Sequence, residues 1–141
     1  MSRRPLRSEG RARAGRARRL GLAGELAALL LLWLKGYRLR HRRWRTPSGG
    51  ELDLVMEHRG EIVFVEVKTR SSTAFGGAAA AVDRRKRESL VRVAGAYLGR
   101  HGLWQRPHRF DVVALDRGEG RLGWRMRHFQ NTIRTDRGRL M

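Results

Sequence analysis

Apolar positions along this chain fall into runs of two different periods. From Leu20 to Leu34 good helix formers dominate, and Lys35-Gly36 then places a cation near the last carbonyls and a glycine at the C′ position. A helix that stops there is predicted. Tyr37 to Arg45 sets aromatic and apolar residues at intervals among arginines, the pattern of a strand near a sheet edge whose polar face meets solvent or phosphate. Thr46-Pro47-Ser48-Gly49-Gly50 reads as a loop. Glu51 to Glu57 and Glu61 to Lys68 are strand-like and separated by a short turn containing Arg59-Gly60, so a β-hairpin is the simplest reading.

Ser71 to Gly77 reads as a flexible connector, after which Asp83 can cap a helix running to about Arg100. Val82, Lys86, Leu90, Val93 and Tyr97 form one stripe of that helix, which should face the sheet. Pro107 precedes a strand from Arg109 to Leu115, and Gly118 to Gly120 turns the chain into a last strand-like run, Leu122 to Phe129. No internal repeat is evident. The sum is an α/β domain with a mixed sheet flanked by helices, in the order α-β-β-β-α-β with a further strand-like run at the end.

A chain of 141 residues is close to the commonest domain size, and one domain over 20–130 is expected. Residues 1–19 hold eight arginines and one glutamate with almost no large apolar side chain, which predicts a basic, flexible arm. That arm is either a phosphate-binding extension or a solubilising tail. Residues 131–141 read as a polar tail.

Charge narrows the function. Lys plus Arg total 32 against 13 Asp plus Glu, a formal +19, and such self-repulsion is usually tolerated because a polyanion neutralises it. Nucleic acid is the expected partner, DNA ahead of RNA, although a ribosomal or membrane-surface protein would be equally basic. Arg40, Arg42, Arg43, Arg45, Arg70, Arg84 and Arg85 are the expected phosphate contacts. The absence of cysteine excludes disulfides, thiolate metal sites and a cysteine nucleophile, and makes the cytoplasm the default compartment. The apolar run Leu26 to Leu34 is about half the roughly 20 residues of a spanning helix and is expected to be a core helix, with no membrane partner. Glu25 and Lys35 flank it closely and no small-residue cleavage site follows, which argues against a secretory signal.

The chemistry centres on the hairpin. Strand alternation points Glu66 and Lys68 to one side while Val63, Val65 and Val67 point to the other. If Arg59-Gly60 is a two-residue turn, His58 opposes Glu61, and counting back sets Asp53 across from Glu66 on the same face; a longer loop or a bulge would break that register. Facing carboxylates repel unless a cation or a raised pKa relieves them. Oxygen ligands alone suit a hard ion, Mg²⁺ or Mn²⁺, which can activate water against a phosphodiester while an adjacent lysine stabilises developing charge. Taken alone, the same residues could be solvent-facing and paired with Lys68 and nearby arginines. Glu25 opens an apolar helix, where it is either an exposed first-turn acid or engaged by a metal or cation. Lys86, on the apolar stripe, either snorkels outward, the commoner behaviour, or reaches the same polar cleft.

Gly50-Glu51-Leu52-Asp53-Leu54-Val55, followed by Val63-Phe64-Val65-Glu66-Val67-Lys68-Thr69-Arg70, closely resembles the bacterial YraN-type (UPF0102) family of endonuclease-like proteins. The resemblance extends through Gly24-Glu25 and Gly36-Tyr37 upstream and through Lys86, Ala96-Tyr97-Leu98 and Arg109-Phe110-Asp111-Val112-Val113 downstream, roughly residues 20 to 115. It implies a single restriction-endonuclease-like domain of the PD-(D/E)XK superfamily, similar to archaeal Holliday-junction resolvases. Carried over by position, Glu25 is the helix-borne acid, Asp53 the central metal ligand, Glu66 the second ligand and Lys68 the signature lysine, with Lys86 accessory. The activity so implied is Mg²⁺-dependent cleavage of structured or branched DNA in repair or recombination. Resolvase-like enzymes that cut symmetrically usually work as dimers, so a homodimer is implied by the same analogy. A binding module of the same fold that recruits partners without turnover is the alternative, and a basic RNA accessory protein a third reading that leaves the converging acids unaccounted for.

Overall fold

The computed structural model describes residues 21–70, 84–117 and 124–133. Within them, helix α1 (21–34) precedes strands β1 (Arg38–Arg45), β2 (Glu51–His58) and β3 (Glu61–Arg70), followed by helix α2 (Arg84–Arg100) and strands β4 (His108–Arg117) and β5 (Trp124–Phe129). The five strands form one sheet in sequence order, β1-β2-β3-β4-β5. Only β3 and β4 run parallel, and α2 makes the crossover between them. The mixed α/β expectation holds, element for element. The arm 1–19, the 71–77 connector, Val82, the Asp83 cap, the 118–120 turn and most of the polar tail lie outside the described residues.

Each helix covers one face of the sheet. Ala28 and Leu32 of α1 pack with Tyr37, Leu54, Met56, Val63, Val65, Val113 and Leu115. Leu90, Val93, Ala94, Tyr97 and Leu98 of α2 pack with Leu52, Val55, Ile62, Phe64 and Phe110 on the other side. The long apolar run of α1 is not fully interior, as expected of a core helix: Leu26, Leu30, Trp33 and Leu34 stay more than half exposed. A helix on one side of a two-faced sheet can bury only one stripe, and here nothing among the described residues covers the other.

The helix ends follow from local chemistry. Gly36, at φ +89°, lets its own amide reach Trp33 O and the Tyr37 amide reach Leu32 O, closing α1 in a Schellman motif. Gly102, at φ +65°, does the same for α2, with the Leu103 amide on Leu98 O. The hairpin turn is the two-residue one, with Arg59 at φ +49° and Gly60 at φ +81° and His58 opposite Glu61.

Candidate active site

The two-residue turn sets the register of β2 on β3 from His58↔Glu61 to Leu54↔Val65. The next pair would be Asp53 and Glu66, and there the regular ladder stops. After such a turn the Val67 amide should bond the Leu52 carbonyl. It donates instead to Asp53 Oδ2 at 2.8 Å. Leu52 correspondingly packs with the α2-side core while Leu54 packs with the α1-side core, although two residues apart on a strand they should share a face. On the neighbouring strand Arg43 sits at φ +50°, between the Arg42↔Leu54 and Trp44↔Leu52 pairs. The alternation thus breaks on both strands beside Asp53, and the break turns its carboxylate across the end of the ladder toward β3.

Glu66 lies on the α2 face and is buried, 4% exposed. Its Oε1 is 3.1 Å from Lys68 Nζ, two residues along the same strand, and 3.3 Å from Lys86 Nζ on α2. Lys86 therefore does not snorkel away: its stem lies along the apolar stripe and its ammonium reaches the carboxylate. Glu66 Oε2 is buried and accepts from no amide, ammonium, guanidinium or hydroxyl group, leaving the protonated Asp53 carboxyl as the donor at hand for Glu66. Burial and the negative charge of Glu66 push the Asp53 carboxyl up from 3.8 to about 7, against the opposing pull of the Val67 amide and the Lys86 charge. Near neutral pH the Asp53 carboxyl therefore gains and loses its proton, and when protonated it can hydrogen-bond to Glu66. Two carboxylates so placed could hold a hard divalent ion, which needs only one or two protein carboxylates alongside water and substrate phosphate.

Glu25 does not join this cluster. It is buried at 6% exposure, with Oε1 receiving Arg42 Nε and Nη2 at 3.2 Å and Oε2 receiving Arg43 Nε at 3.0 Å. Among the described residues no three His, Cys, Asp or Glu side chains gather as a metal cage. The other expected phosphate contacts are also engaged: Arg40 with Glu57, Arg45 with Glu51 and Arg84 with Glu88. Arg85 is exposed, and the Arg70 side chain lies outside the described residues.

The profile of the uncharacterised protein family UPF0102 matches residues 24–115, which hold the whole cluster. A UPF0102 protein of Moorella thermoacetica is 53% identical over 104 residues, 72% of this chain and 86% of its own length. One from Symbiobacterium thermophilum is 46% identical over 118 residues, 83% of this chain and 98% of its own. This chain belongs to the UPF0102 family. The UPF0102 match begins at Gly24, where an added Cβ would stand 2.4 Å from Thr69 Oγ1, so α1 lies against the end of β3 that carries Lys68.

A buried polar network to which sequence reading assigned no role joins the matched segment to residues beyond it. Asp111, 1% exposed on the α1 face, accepts His128 Nε2 at 2.8 Å through Oδ2, and Arg109 Nε at 3.2 Å and the Asn131 amide at 3.1 Å through Oδ1. Burial alone would raise its pKa, but the His128 hydrogen bond, the Asn131 amide and the Arg109 charge hold the carboxyl below its usual range. Tyr37, stacked on His58 at 3.9 Å, bonds to Arg109. A carboxylate inside the apolar strand Phe110 to Leu115 was the available signal, because such a group needs partners to be tolerated. No helix among the described residues is long and apolar enough to cross a membrane.

Proposed function

We propose that this UPF0102 protein is a divalent-metal-dependent nuclease that hydrolyses phosphodiester bonds, with structured or branched DNA as its substrate class. One observation carries the reading: Asp53 and buried Glu66 share a site with Lys68 and Lys86, the two carboxyls close enough for the Glu66 charge to raise the Asp53 pKa. Asp53 and Glu66 are the residues that would hold Mg²⁺ or Mn²⁺, which when bound supplies Lewis acidity toward a phosphate oxygen and a more acidic water.

The chain's own groups complete the chemistry. Lys68 and Lys86 present two ammonium groups to Glu66, close enough to meet a phosphate and to balance charge developing on the oxygens around phosphorus. With no ion bound, burial and the Glu66 charge push the Asp53 carboxyl up to about 7, so it gives up a proton when it takes the ion. Exposed arginines outside the intramolecular pairs supply affinity that does not depend on sequence.

A second reading has its own observation. Glu25 is held by two guanidiniums, leaving two carboxylates where the family resemblance implied three. A recruiting module with no turnover would tolerate that arrangement. The deciding experiment incubates plasmid, linear, single-stranded and four-way-junction DNA with the protein in Mg²⁺, Mn²⁺ or EDTA, alongside folded Asp53→Ala and Lys68→Ala variants. Metal-dependent cleavage lost in both variants supports the nuclease. Tight binding without cleavage in any metal supports the recruiting module.

A further inference from the structure

Helix α2 leads away from the candidate site along an almost purely basic flank. Arg84, Arg85, Arg87, Arg92 and Arg100 are exposed, and Glu88 is the sole acid of the helix, paired with Arg84 at 3.3 Å. The Arg92 guanidinium bonds Ser48 Oγ at 3.2 Å and Gly49 O at 3.0 Å, both neutral, so its charge is uncompensated by those bonds. At the far end the Schellman turn through Gly102 folds the chain back and sets Trp104 against the helix.

Trp104 rests there on two glycines. A Cβ at Gly99 would meet its Nε1 at 3.2 Å and its Cζ2 at 3.5 Å, and one at Gly95 would meet Cη2 at 3.6 Å. These atoms all lie on one edge of the indole, and Trp104 remains 50% exposed. Glycine is a poor residue for a helix interior, yet at position 99 no larger side chain fits without displacing the ring. The contact fixes the edge and leaves Trp104 half exposed on the helix face that also carries Arg92, three and seven residues before Gly95 and Gly99.

We infer that Trp104 is a stacking platform for an unpaired nucleobase, held at the end of a phosphate track formed by the arginines of α2. An open aromatic surface flanked by cations is the chemistry that binds single-stranded nucleic acid, with bases on rings and backbone on charges. The midpoint of Gly95 and Gly99 is about 16 Å along α2 from Lys86 at 1.5 Å per residue. Gly95 and Gly99 face away from the stripe of Lys86, Leu90, Val93 and Tyr97, so the nucleic-acid strand also passes around α2 between the platform and the phosphate at Glu66. The inference rests on the proposed action on nucleic acid and names the feature of the substrate that the site selects: an unpaired stretch on one side of the cut.

The test is made in EDTA, so that it reads binding alone. A single-stranded deoxyoligonucleotide carrying 2-aminopurine should be quenched by the wild-type protein. Trp104→Ala should remove a large part of the quenching and weaken binding on the order of ten-fold, while Trp104→Phe keeps most of the affinity. A second measurement needs no variant: 5-iodouracil in the same oligonucleotide, irradiated on wild-type protein, should crosslink to the peptide carrying Trp104. Unchanged affinity and quenching in a folded Trp104→Ala protein, or crosslinks confined to other residues, would overturn the inference. Because no metal is present, its outcome is separate from cleavage: stacking without cleavage sinks only the nuclease reading, and cleavage without stacking sinks only this one.

Discussion

Lys86 Nζ lies 3.3 Å from Glu66 Oε1, so α2 is tied by charge to the strand that holds the candidate site as well as packed on it. The Lys86 charge also pulls the Asp53 carboxyl down. Lys86→Met should therefore raise the Asp53 pKa further. A ¹³C titration of the Asp53 carboxyl would read the shift. No movement would show that Lys86 is screened from the pair.

Asp53 also makes stability depend on pH. Its folded-state pKa, about 7, lies above the ordinary 3.8, so the folded state holds this proton more tightly than the unfolded chain does. The resulting stabilisation is fully present below about 4 and is lost as pH rises through about 7. Asp53→Asn keeps an oxygen for the Val67 amide and removes the charge. It should be near neutral in effect at pH 4 and stabilising by roughly 2–4 kcal/mol at pH 8, a difference measurable by urea unfolding at the two pH values.

Metal binding should run through the same proton. A divalent ion competes with it for Asp53. Calorimetry in buffers of different ionisation enthalpy should then find close to one proton released per Mg²⁺ at pH 6 and far fewer at pH 8, with Glu66→Gln abolishing the binding heat. Equal release at both pH values would place the ion elsewhere.

The Asp111 network should behave in the opposite sense. Its carboxyl is held below the usual range, so its contribution is present above the unfolded pKa and is lost as pH falls through the folded one. Removing the acid with Asp111→Ala leaves Arg109 with Glu61 and Tyr37 and takes the partner from His128 Nε2, and should cost about 2–4 kcal/mol. Chemical denaturation at pH 7 measures the loss.

Arg59 occupies the left-handed region at φ +49° in a turn that favours asparagine or glycine. Arg59→Asn should stabilise the protein by roughly 0.5–1 kcal/mol, seen as a higher thermal midpoint with unchanged nucleic-acid binding. Lower stability would mean that the arginine side chain outweighs its backbone strain.

Much of this architecture was legible because its signals are local. Gly36, Arg59-Gly60 and the alternation of Val63, Val65 and Val67 each fix their own neighbourhood, and the hairpin count gives the register as far as Leu54↔Val65, one pair short of Asp53 and Glu66. The distortion at Asp53 was not legible, since it depends on Arg43 of another strand adopting a left-handed conformation. Lys86 could be put on a helix stripe but not in the cleft, because its reach depends on how α2 is pitched across the sheet. Glu25 met two arginines from β1 that no spacing within α1 announces. The Asp111 network draws on Tyr37, Arg109, His128 and Asn131, far apart in the chain, and only the misfit of an acid in an apolar strand hinted at it.

The close approach of Gly24 to Thr69 gives α1 a mechanical part in the site. A hydrogen atom is the whole side chain there, and a methyl group would stand 2.4 Å from Thr69 Oγ1. Any larger residue at 24 must turn the Thr69 hydroxyl out of its place, lift the start of α1 or displace the strand next to Lys68. The thickness of the molecule at that point, one helix backbone directly on one strand, therefore sets where a lysine on the opposite face comes to rest: a dimension fixed on one side of the sheet is felt as alignment on the other.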